Sequence, residues 1–342
     1  MIKYKIQGPP NHLLPGGISI PLKNNSFYRV TIMQQVEFLS VSKEDIKGSF
    51  DKSLHNPDVN LSLIAEELSE FMLTEVAPFV MNSYRDASKS ILTKHDGSIV
   101  TETDRAVEKM LRQKLLELIP DAAFLGEETA AEHADRATEL FESDYVWVVD
   151  PIDGTANFAH GIPNFVVAPA LMKRDGDKLV PLFGMLLMPA DGIMIYNDQD
   201  NAYLTDLATG TTEILGEHSS QSKVVFDSGH LIDPYLVWDS KELETVVNFS
   251  ATLAHAVYTI LGKGRAMAVG GRFWDIAAML APAEKAGLKL FDADSGTLID
   301  SFGVDDFELS AGKYLWLVKN SLILAREEDV DMIREHLYSS AN

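Results

Sequence analysis

The sequence predicts an α+β protein, and three of its features support that class. Residues 60–120 carry apolar side chains at the 3–4 spacing of amphipathic helices. Residues 122–205 hold short apolar runs typical of strands, and after about residue 218 helical and strand-like stretches alternate. We therefore expect helices first, then a sheet, then an α/β half, arranged as two domains around a shared cleft.

Two helices are expected in the first of these regions. One begins after Asn60, and Pro78 marks a kink in it or its end. The other starts near Asp104, a residue type that commonly caps helices, and it ends before Pro120.

Turn signals separate the strand-like runs that follow. The stretches "RDGDK" and "PADG" lie between apolar runs, which predicts an antiparallel sheet built from hairpins. Further along, one helix is expected over residues 251–261, ending at Gly262, and another from Asp275 to about Gly287. The strands "LKLFD" and "SLILA" and a C-terminal helix complete the α/β half.

Composition argues against several classes of partner. The chain of 342 residues has 51 acidic and 29 basic residues, a formal charge of -22, which disfavours a nucleic-acid polymer or an anionic membrane. It contains no cysteine and no apolar run long enough to cross a bilayer. On these grounds we expect a cytoplasmic protein.

The most informative stretch is "WVVDPIDGTANF", Trp147–Phe158. An apolar strand runs into Asp150 and Asp153, whose like charges repel unless a cation lies between them. If Gly154 and Thr155 begin a helix, its free N–H groups bind anions, and a divalent cation would then join the acids to a phosphate. Considered alone, the stretch is also compatible with a structural turn that is closed by an Asx-type hydrogen bond and binds no ligand.

Two more acidic stretches follow apolar elements. Glu127 and Glu128 come directly after the short strand Ala123–Leu125, and Asp275 lies at the expected start of a helix. Taken singly, Glu127 is a solvated loop acid and Asp275 an ordinary helix cap. Together, the three acidic stretches fit one cation site better, and Mg²⁺ prefers such hard oxygen ligands.

Four motifs resemble the signatures of the inositol monophosphatase family, the Mg²⁺-dependent, lithium-sensitive phosphatases related to fructose-1,6-bisphosphatase. They are "DGSIVTETDRAVE" (Asp96–Glu108), "GEET" (Gly126–Thr129), "WVVDPIDGTANFAHGIP" (Trp147–Pro163) and "WDIAAMLAPAEKAG" (Trp274–Gly287). The resemblance covers roughly residues 60–342. It implies a layered αβαβα sandwich, sensitivity to lithium and a homodimer.

The resemblance also assigns roles to individual residues. It implies a first Mg²⁺ held by Glu127, Asp150 and the backbone carbonyl of Ile152. A second Mg²⁺ would be held by Asp150, Asp153 and Asp275. Two such ions can clamp both the attacking and the leaving oxygen of an in-line displacement, and they lower the pKa of bound water.

Further roles follow from the same resemblance. Asp104 matches the acid associated with a third, weaker metal ion and with placing the attacking water, so two to three Mg²⁺ ions are expected. Thr155 would orient that water together with Glu127. The N–H groups of Gly154 and Thr155 would hold the phosphate, so that no covalent phosphoenzyme is needed.

The chain departs from the family where a sugar ring would bind. Inositol-specific members carry a carboxylate before the last metal ligand, whereas residues 266–273 contain no acid and Arg272 stands two residues away from Asp275. Arg272 is either a solvated surface charge or a cation aimed at a second anionic group of the substrate. The stretch "SATL" resembles the family's substrate loop, which makes Ser250 a candidate substrate contact.

The expected function is that of a Mg²⁺-dependent phosphomonoesterase. Its substrate would be a small phosphorylated metabolite: an inositol phosphate-like compound, a sugar phosphate or a nucleotide. The first alternative is a phosphatase for a bisphosphorylated substrate, such as fructose-1,6-bisphosphate or a 3′-phosphoadenosine nucleotide. The second is a non-catalytic relative that only binds a metal or a ligand.

Three regions are expected along the chain. Residues 1–57 form an N-terminal extension rich in early prolines and glycines, within which Met33 is an alternative candidate start. Residues 58–217 form an α+β metal-binding domain with an antiparallel sheet. Residues 218–342 form an α/β domain that completes the active site.

Overall fold

The computed structural model describes most of the chain that follows the N-terminal extension. The described residues are 59–86, 91–93, 99–216, 222–228, 236–238, 245–310 and 314–339. Val59–Asn342 forms one compact unit. The expected extension 1–57, with Met33, and the expected boundary at residues 217 and 218 lie outside the described residues.

The predicted helices are present. In chain order the α-helices are α1 (Leu61–Phe71), α2 (Ala77–Arg85), α3 (Glu102–Leu118), α4 (Thr155–Ala159), α5 (Thr252–Ile260), α6 (Trp274–Lys285) and α7 (Val330–His336). None of the helices in the described ranges is long and apolar enough to cross a membrane.

The structure refines two expectations about helix boundaries. Pro78 was expected to mark a kink in the first helix or its end, and it does not end it: a π-helical turn, Met72–Val76, joins α1 to α2, which continues to Arg85. Proline has no N–H to donate, so it fits the first turn of α2 without breaking it. Asp104 is not the N-cap of α3, because Thr101 is, and Asp104 completes a capping box from three residues inside the helix.

An eight-stranded sheet follows the first helices. Before it, β1 (Ile91–Thr93) and β2 (Ile99–Thr101) form a short antiparallel pair. The strands of the large sheet are, in spatial order, β3 (Ala123–Gly126), β4 (Tyr145–Asp153), β5 (Val166–Asp175), β6 (Lys178–Met188), β7 (Ile193–Asn197), β8 (Ala202–Asp206) and β9 (Thr212–Leu215), with β15 (Phe302–Gly303) paired to β6. The pairings from β4 to β9 are antiparallel, as the turn signals predicted, whereas β3 is parallel to β4.

A five-stranded sheet forms the second layer of strands. Its members, in spatial order, are β12 (Thr245–Val247), β10 (Val224–Asp227), β13 (Ala266–Val269), β18 (Leu322–Ala325) and β14 (Lys289–Asp292). The first three are parallel to one another, and β18 is antiparallel to both of its neighbours. Two small pairs accompany it: β11 (Leu236–Trp238) with β19 (Leu337–Ser339), and β16 (Phe307–Glu308) with β17 (Leu317–Val318).

Three hydrophobic clusters show how these elements stack. Helices α1, α2 and α3 pack on one face of the eight-stranded sheet. Helices α5 and α6 fill the space between its other face and the five-stranded sheet. Helix α7 packs on the far face of that second sheet. Helices and sheets therefore alternate, and the expected αβαβα sandwich is confirmed.

The apolar run of β4 specifies its place in this stack. Val146 and Val148 belong to the cluster with the central helices, whereas Trp147 and Val149 belong to the cluster with α1, α2 and α3. Successive strand residues point to opposite faces of a sheet, and here both faces are covered. Because a shift of one residue would exchange the two faces, this burial fixes the register of β4 and the position of Asp150 near its end.

Candidate active site

Two parallel strands bring the first two acidic stretches together. Gly126 of β3 is in register with Val149 of β4, and the N–H of Glu127 donates to the Val149 carbonyl over 3.1 Å. Since parallel strands run towards the same edge of a sheet, Glu127 and Asp150 follow this register pair side by side.

Strand β4 continues through the acidic motif. The strand does not stop at Asp150 but runs through Pro151 and Ile152 to Asp153, with an irregular register between Asp150 and Asp153. Proline removes one N–H from the ladder, and an irregularity of this kind changes the direction of the side chains that follow it. One strand can therefore supply two carboxylates to the same place.

Three carboxylates converge there. One oxygen from each of Asp150, Asp153 and Asp275 lies within 4.8 Å of the corresponding oxygens of the other two. Asp150 and Asp153 are buried and Asp275 is partly buried. The three residues come from two stretches that are more than 100 positions apart in the sequence, and the structure brings these predicted ligands together.

The start of α6 positions Asp275. The helix begins at Trp274, one residue earlier than expected, and Asp275 Oδ2 accepts the N–H of Arg272 over 2.7 Å. Gly271 has φ 152°, and a Cβ at this position would lie 2.5 Å from the same carboxylate oxygen. Glycine is therefore required here for the carboxylate to lie where it does.

The N-terminus of α5 holds Asp153. The Thr252 N–H donates to Oδ1 over 3.1 Å, and the Leu253 and Ala254 N–H groups donate to Oδ2 over 2.7 and 3.3 Å. Ala251, the N-cap of α5, makes no side-chain bond, so Asp153 satisfies N–H groups that a local cap would otherwise bind. A carboxylate has about four acceptor sites, which leaves one on Oδ1 for a further ligand.

Asp104 and Thr155 are bonded to each other. The Thr155 hydroxyl lies 3.0 Å from Asp104 Oδ1 and 3.0 Å from the carbonyl oxygen of Ile152. A hydroxyl has one proton, so it donates to one of these acceptors at a time. Asp104 Oδ2 accepts the Thr101 N–H over 2.8 Å and also bonds the Thr101 hydroxyl. Burial raises the pKa of Asp104, whereas the bonds from Thr101 lower it.

Burial and mutual repulsion raise the pKa of each converging carboxylate. Burial, followed by the charges of Glu127, Asp153, Asp275 and Asp104, raises the pKa of Asp150 well above its usual range. Burial and the charge of Asp275 raise the pKa of Asp153 to about 8, although the α5 N–H groups lower it. Burial and the charge of Glu127 raise the pKa of Asp275 to about 7. Carboxylates this close favour a compensating positive charge.

A divalent cation fits this arrangement. Asp150 is 1% exposed, and its Oδ1 has no hydrogen-bond partner in the described part of the chain. A buried carboxylate oxygen without a partner is unfavourable, and a metal ion would supply the missing interaction. The side-chain donors here are hard oxygens, which suit Mg²⁺ better than they suit softer transition metals.

Gly154 and Ser250 lie next to the helices α4 and α5. Gly154 has a left-handed backbone, φ 81°, directly before Thr155 begins α4. Ser250 also has a left-handed backbone, φ 56°, and it is exposed. Asn157 links the two regions, because its Nδ2 donates to the Phe249 carbonyl over 2.6 Å. The long acidic motif is thus tied to the loop that we expect to contact substrate.

Arg272 lies beside the last carboxylate. Its guanidinium is 5.8 Å from the centre of the Trp274 ring, and its positive charge lowers the pKa of Asp275. The side chain is partly buried. Arg272 therefore lies within electrostatic reach of the carboxylates that converge at the site.

Two supporting features were missed in the sequence. The Thr-x-x-Asp spacing of Thr101 and Asp104 is the signal of a capping box, and it locates the start of α3 more closely than Asp104 alone. At α5, the residue Ala251 offers no side-chain acceptor for the first N–H groups. The local sequence is sufficient to show that a capping side chain is missing. It does not show that Asp153, 99 positions before Thr252, accepts these N–H groups instead.

Comparisons with known proteins agree with this geometry. The profile of the Inositol monophosphatase family matches residues 63–331. A histidinol-phosphatase from Chlorobaculum parvum is 25% identical over 268 residues, covering 76% of this chain and 95% of that protein. An inositol monophosphatase from Dictyostelium discoideum is 28% identical over 236 residues, covering 66% of this chain and 83% of that protein.

A solved structure resembles the fold over most of its length. An IMPase/NADP phosphatase complexed with NADP and Ca²⁺ aligns with a TM-score of 0.64 and 18% identity, covering 83% of this chain and 98% of that one. The alternating layers, the converging carboxylates and the family match define the class: the chain belongs to the inositol monophosphatase family. It is accordingly an enzyme, a phosphoric monoester hydrolase that acts on small phosphorylated metabolites.

Proposed function

We propose that this phosphatase works with Mg²⁺ held by its converging carboxylates. Glu127, Asp150 and the Ile152 carbonyl would hold one ion, and Asp150, Asp153 and Asp275 a second. The supporting observation is that oxygens of the last three residues lie within 4.8 Å of one another. Bound ions would neutralise these charges, bind phosphate oxygens and lower the pKa of water.

The chain's own groups would position the reactants. The Thr155 hydroxyl, 3.0 Å from both Asp104 and the Ile152 carbonyl, would orient the attacking water together with Glu127. Asp104 would help to place that water and would offer a third, weaker Mg²⁺ position. The N–H groups of Gly154 and Thr155 would hold the phosphate, so that the phosphoryl group passes directly to water.

We propose a substrate with a second anionic group. Residues 266–273 contain no acid that could bond sugar hydroxyls, and Arg272 places a cation beside Asp275. A guanidinium binds phosphate through a fixed fork of donors, and Ser250 would add a contact from its loop. The IMPase/NADP phosphatase that resembles this fold was solved with NADP, a nucleotide with more than one anionic group. We therefore expect a nucleotide or a bisphosphate, such as fructose-1,6-bisphosphate or a 3′-phosphoadenosine nucleotide.

Phosphate release from a panel of substrates tests this proposal. We expect a bisphosphate or nucleotide to exceed inositol 1-phosphate in kcat/KM, and Arg272→Ala to narrow the gap. A charge-assisted contact contributes roughly 1.5–3 kcal/mol, which is about ten- to a hundredfold in kcat/KM. Arg272→Lys should keep part of the preference. Arg174→Ala is the matched control and should leave the preference unchanged. Arg174 pairs with Asp144, which lies before the start of β4, whereas the proposed site lies at the end of that strand.

Two results would contradict the role of Arg272. One is an unchanged ratio of kcat/KM values in Arg272→Ala. The other is a wild-type enzyme that prefers inositol 1-phosphate over every substrate with a second anionic group. Either result would make Arg272 a solvated charge without a part in specificity.

We make three further proposals, of which the first and third rest on family membership and the second on the absence of cysteine. The protein would be a homodimer, it would work in the cytoplasm, and lithium would inhibit it. Light scattering measures the first, fractionation of cells the second, and the phosphate-release assay with added lithium the third.

A further inference from the structure

Glu108 is a buried carboxylate without a role in the proposed reaction. It lies on α3 and is 3% exposed. Its Oε2 accepts the Glu128 N–H over 2.7 Å, and its Oε1 accepts the Thr129 hydroxyl over 2.8 Å. Both donors directly follow Glu127 in the chain, so the two oxygens of one carboxylate bond the loop that carries a proposed metal ligand.

Two carboxylates of α3 contact two different parts of the site. Asp104 and Glu108 are four residues apart, so they lie on the same face of the helix. Asp104 bonds Thr101 and Thr155, whereas Glu108 bonds the loop that follows Glu127. One rigid helix therefore connects the start of α4 to the end of β3.

Close packing at Gly126 supports this connection. A Cβ at Gly126 would clash with the carboxylate of Glu108, so glycine lets that carboxylate lie directly against the end of β3. On the sheet side, the Glu127 N–H donates to the Val149 carbonyl over 3.1 Å. The backbone at Glu127 is thus fixed by β4 at its own N–H and by α3 through the two residues that follow.

We propose that Glu108 is a positioning residue, which holds the Glu127 loop in the geometry that Mg²⁺ binding requires. This inference rests on the proposed role of Glu127 as a metal ligand. Two properties of Glu108 can be separated, its length and its charge. Positioning depends on a side chain long enough to bond both the Glu128 N–H and the Thr129 hydroxyl. A glutamine can do so, because its oxygen accepts the N–H and its NH2 group donates to the hydroxyl oxygen. An electrostatic contribution to cation binding depends on the negative charge alone.

Mg²⁺ binding to the metal-free protein, measured by isothermal titration calorimetry, distinguishes these properties. Loss of a hydrogen-bonding partner behind a metal ligand typically weakens metal affinity about ten- to a hundredfold. We expect Glu108→Ala and the shorter Glu108→Asp to weaken binding by about tenfold or more, and Glu108→Gln to stay within about threefold of wild type. Glu117→Gln, at an exposed position of the same helix, is the matched control.

The reverse order would overturn the proposal. If Glu108→Asp keeps wild-type affinity and Glu108→Gln loses it, Glu108 acts through its charge and not by positioning. Wild-type affinity in every variant would overturn it as well. If Glu108→Ala fails to fold, as judged by near-ultraviolet circular dichroism, the Mg²⁺ affinities of Glu108→Gln and Glu108→Asp still distinguish positioning from an effect of the charge.

A substitution of Thr129 tests whether Glu108 affects Mg²⁺ affinity through the loop that follows Glu127. Thr129→Val removes one of the two bonds without altering α3. Since both side chains act through one contact, the double variant Glu108→Ala/Thr129→Val should bind Mg²⁺ no more weakly than Glu108→Ala alone. Fully additive losses would contradict positioning through this loop.

Failure of the proposed function gives a different pattern. A wild-type protein that binds Mg²⁺ but releases no phosphate would refute the proposed reaction and leave the calorimetric result on Glu108 intact. Unchanged Mg²⁺ affinity in Glu127→Gln would instead remove the ligand on which the inference about Glu108 rests, and would overturn both.

Discussion

Asp153 shows how one side chain can serve the fold and the active site. Its two oxygens accept three N–H groups from the start of α5, an arrangement that stabilises its negative charge. Burial and the neighbouring charge of Asp275 act in the opposite direction and raise its pKa to about 8. A cation next to both carboxylates would remove the repulsion and leave the helix cap in place.

The left-handed backbone of Ser250 predicts that replacing this residue by glycine makes the protein more stable but its substrate binding weaker. Its φ of 56° lies in the left-handed region, which glycine tolerates better than serine. We expect Ser250→Gly to raise the free energy of unfolding in urea by about 0.5–1 kcal/mol. Ser250→Ala keeps the same backbone and removes only the hydroxyl, so it should not stabilise the protein.

The kinetics of the same pair test the substrate contact. If the hydroxyl of Ser250 binds substrate, both variants should raise KM by a similar factor, although only Ser250→Gly is more stable. A Ser250→Gly protein no more stable than Ser250→Ala would show that the loop is not strained. Unchanged KM in both would remove Ser250 from the substrate site.

At the scale of elements, local patterns predicted some features and not others. The apolar run of β4 was sufficient to predict a buried strand ending in acids, because both of its faces are covered. The parallel pairing of β3 with β4 could not be read from turn signals, since the chain between them passes through the 3₁₀ segment Ala130–Glu142 and makes no hairpin. The capping of α5 by Asp153 depends on the tertiary fold.

That cap predicts different effects on stability for substitutions of two neighbouring aspartates. Asp153→Ala leaves buried N–H groups of α5 without their acceptor, and we expect it to lower the free energy of unfolding by about 1–3 kcal/mol. Asp150→Asn replaces a carboxyl group whose ionised form is unfavourable in the metal-free fold, and Asp150 Oδ1 has no hydrogen-bond partner among the described residues, so no loss is expected. Urea unfolding of the metal-free variants near neutral pH measures both. Equal destabilisation of the two proteins would contradict this account of the cap.

For the whole molecule, the raised pKa values predict how stability depends on pH without metal. The pKa values of Asp275 and Asp153 rise from 3.8 to about 7 and about 8 in the folded protein. Over that window the folded protein binds more protons than the unfolded chain. The stabilisation is complete below about pH 4 and is lost as the pH rises through the folded values, at up to about 1.4 kcal/mol per pH unit for each proton.

Thermal unfolding in the presence of a chelator, from about pH 5 to about pH 8, measures this dependence. We expect the unfolding temperature to fall as the pH rises, and saturating Mg²⁺ to flatten the dependence because the cation replaces the protons. A metal-free protein that becomes more stable over this range would show that the carboxylates do not repel one another in the fold.

The central claim is that the converging carboxylates hold the metal on which phosphate release depends. The most direct test is phosphate release from an aryl phosphate, with and without Mg²⁺, by wild type, Asp150→Asn and the control Asp144→Asn. Asp144 is exposed, pairs with Arg174 and directly precedes β4, so the control places the same substitution at the other end of the strand.

We predict that wild type and Asp144→Asn release phosphate at similar rates and only with a divalent cation. Asp150→Asn should retain less than about a tenth of that activity at saturating Mg²⁺, a loss of more than ~1.4 kcal/mol in transition-state stabilisation. Phosphate release by wild type without any divalent cation, or an Asp150→Asn enzyme that keeps more than that tenth, would contradict the claim.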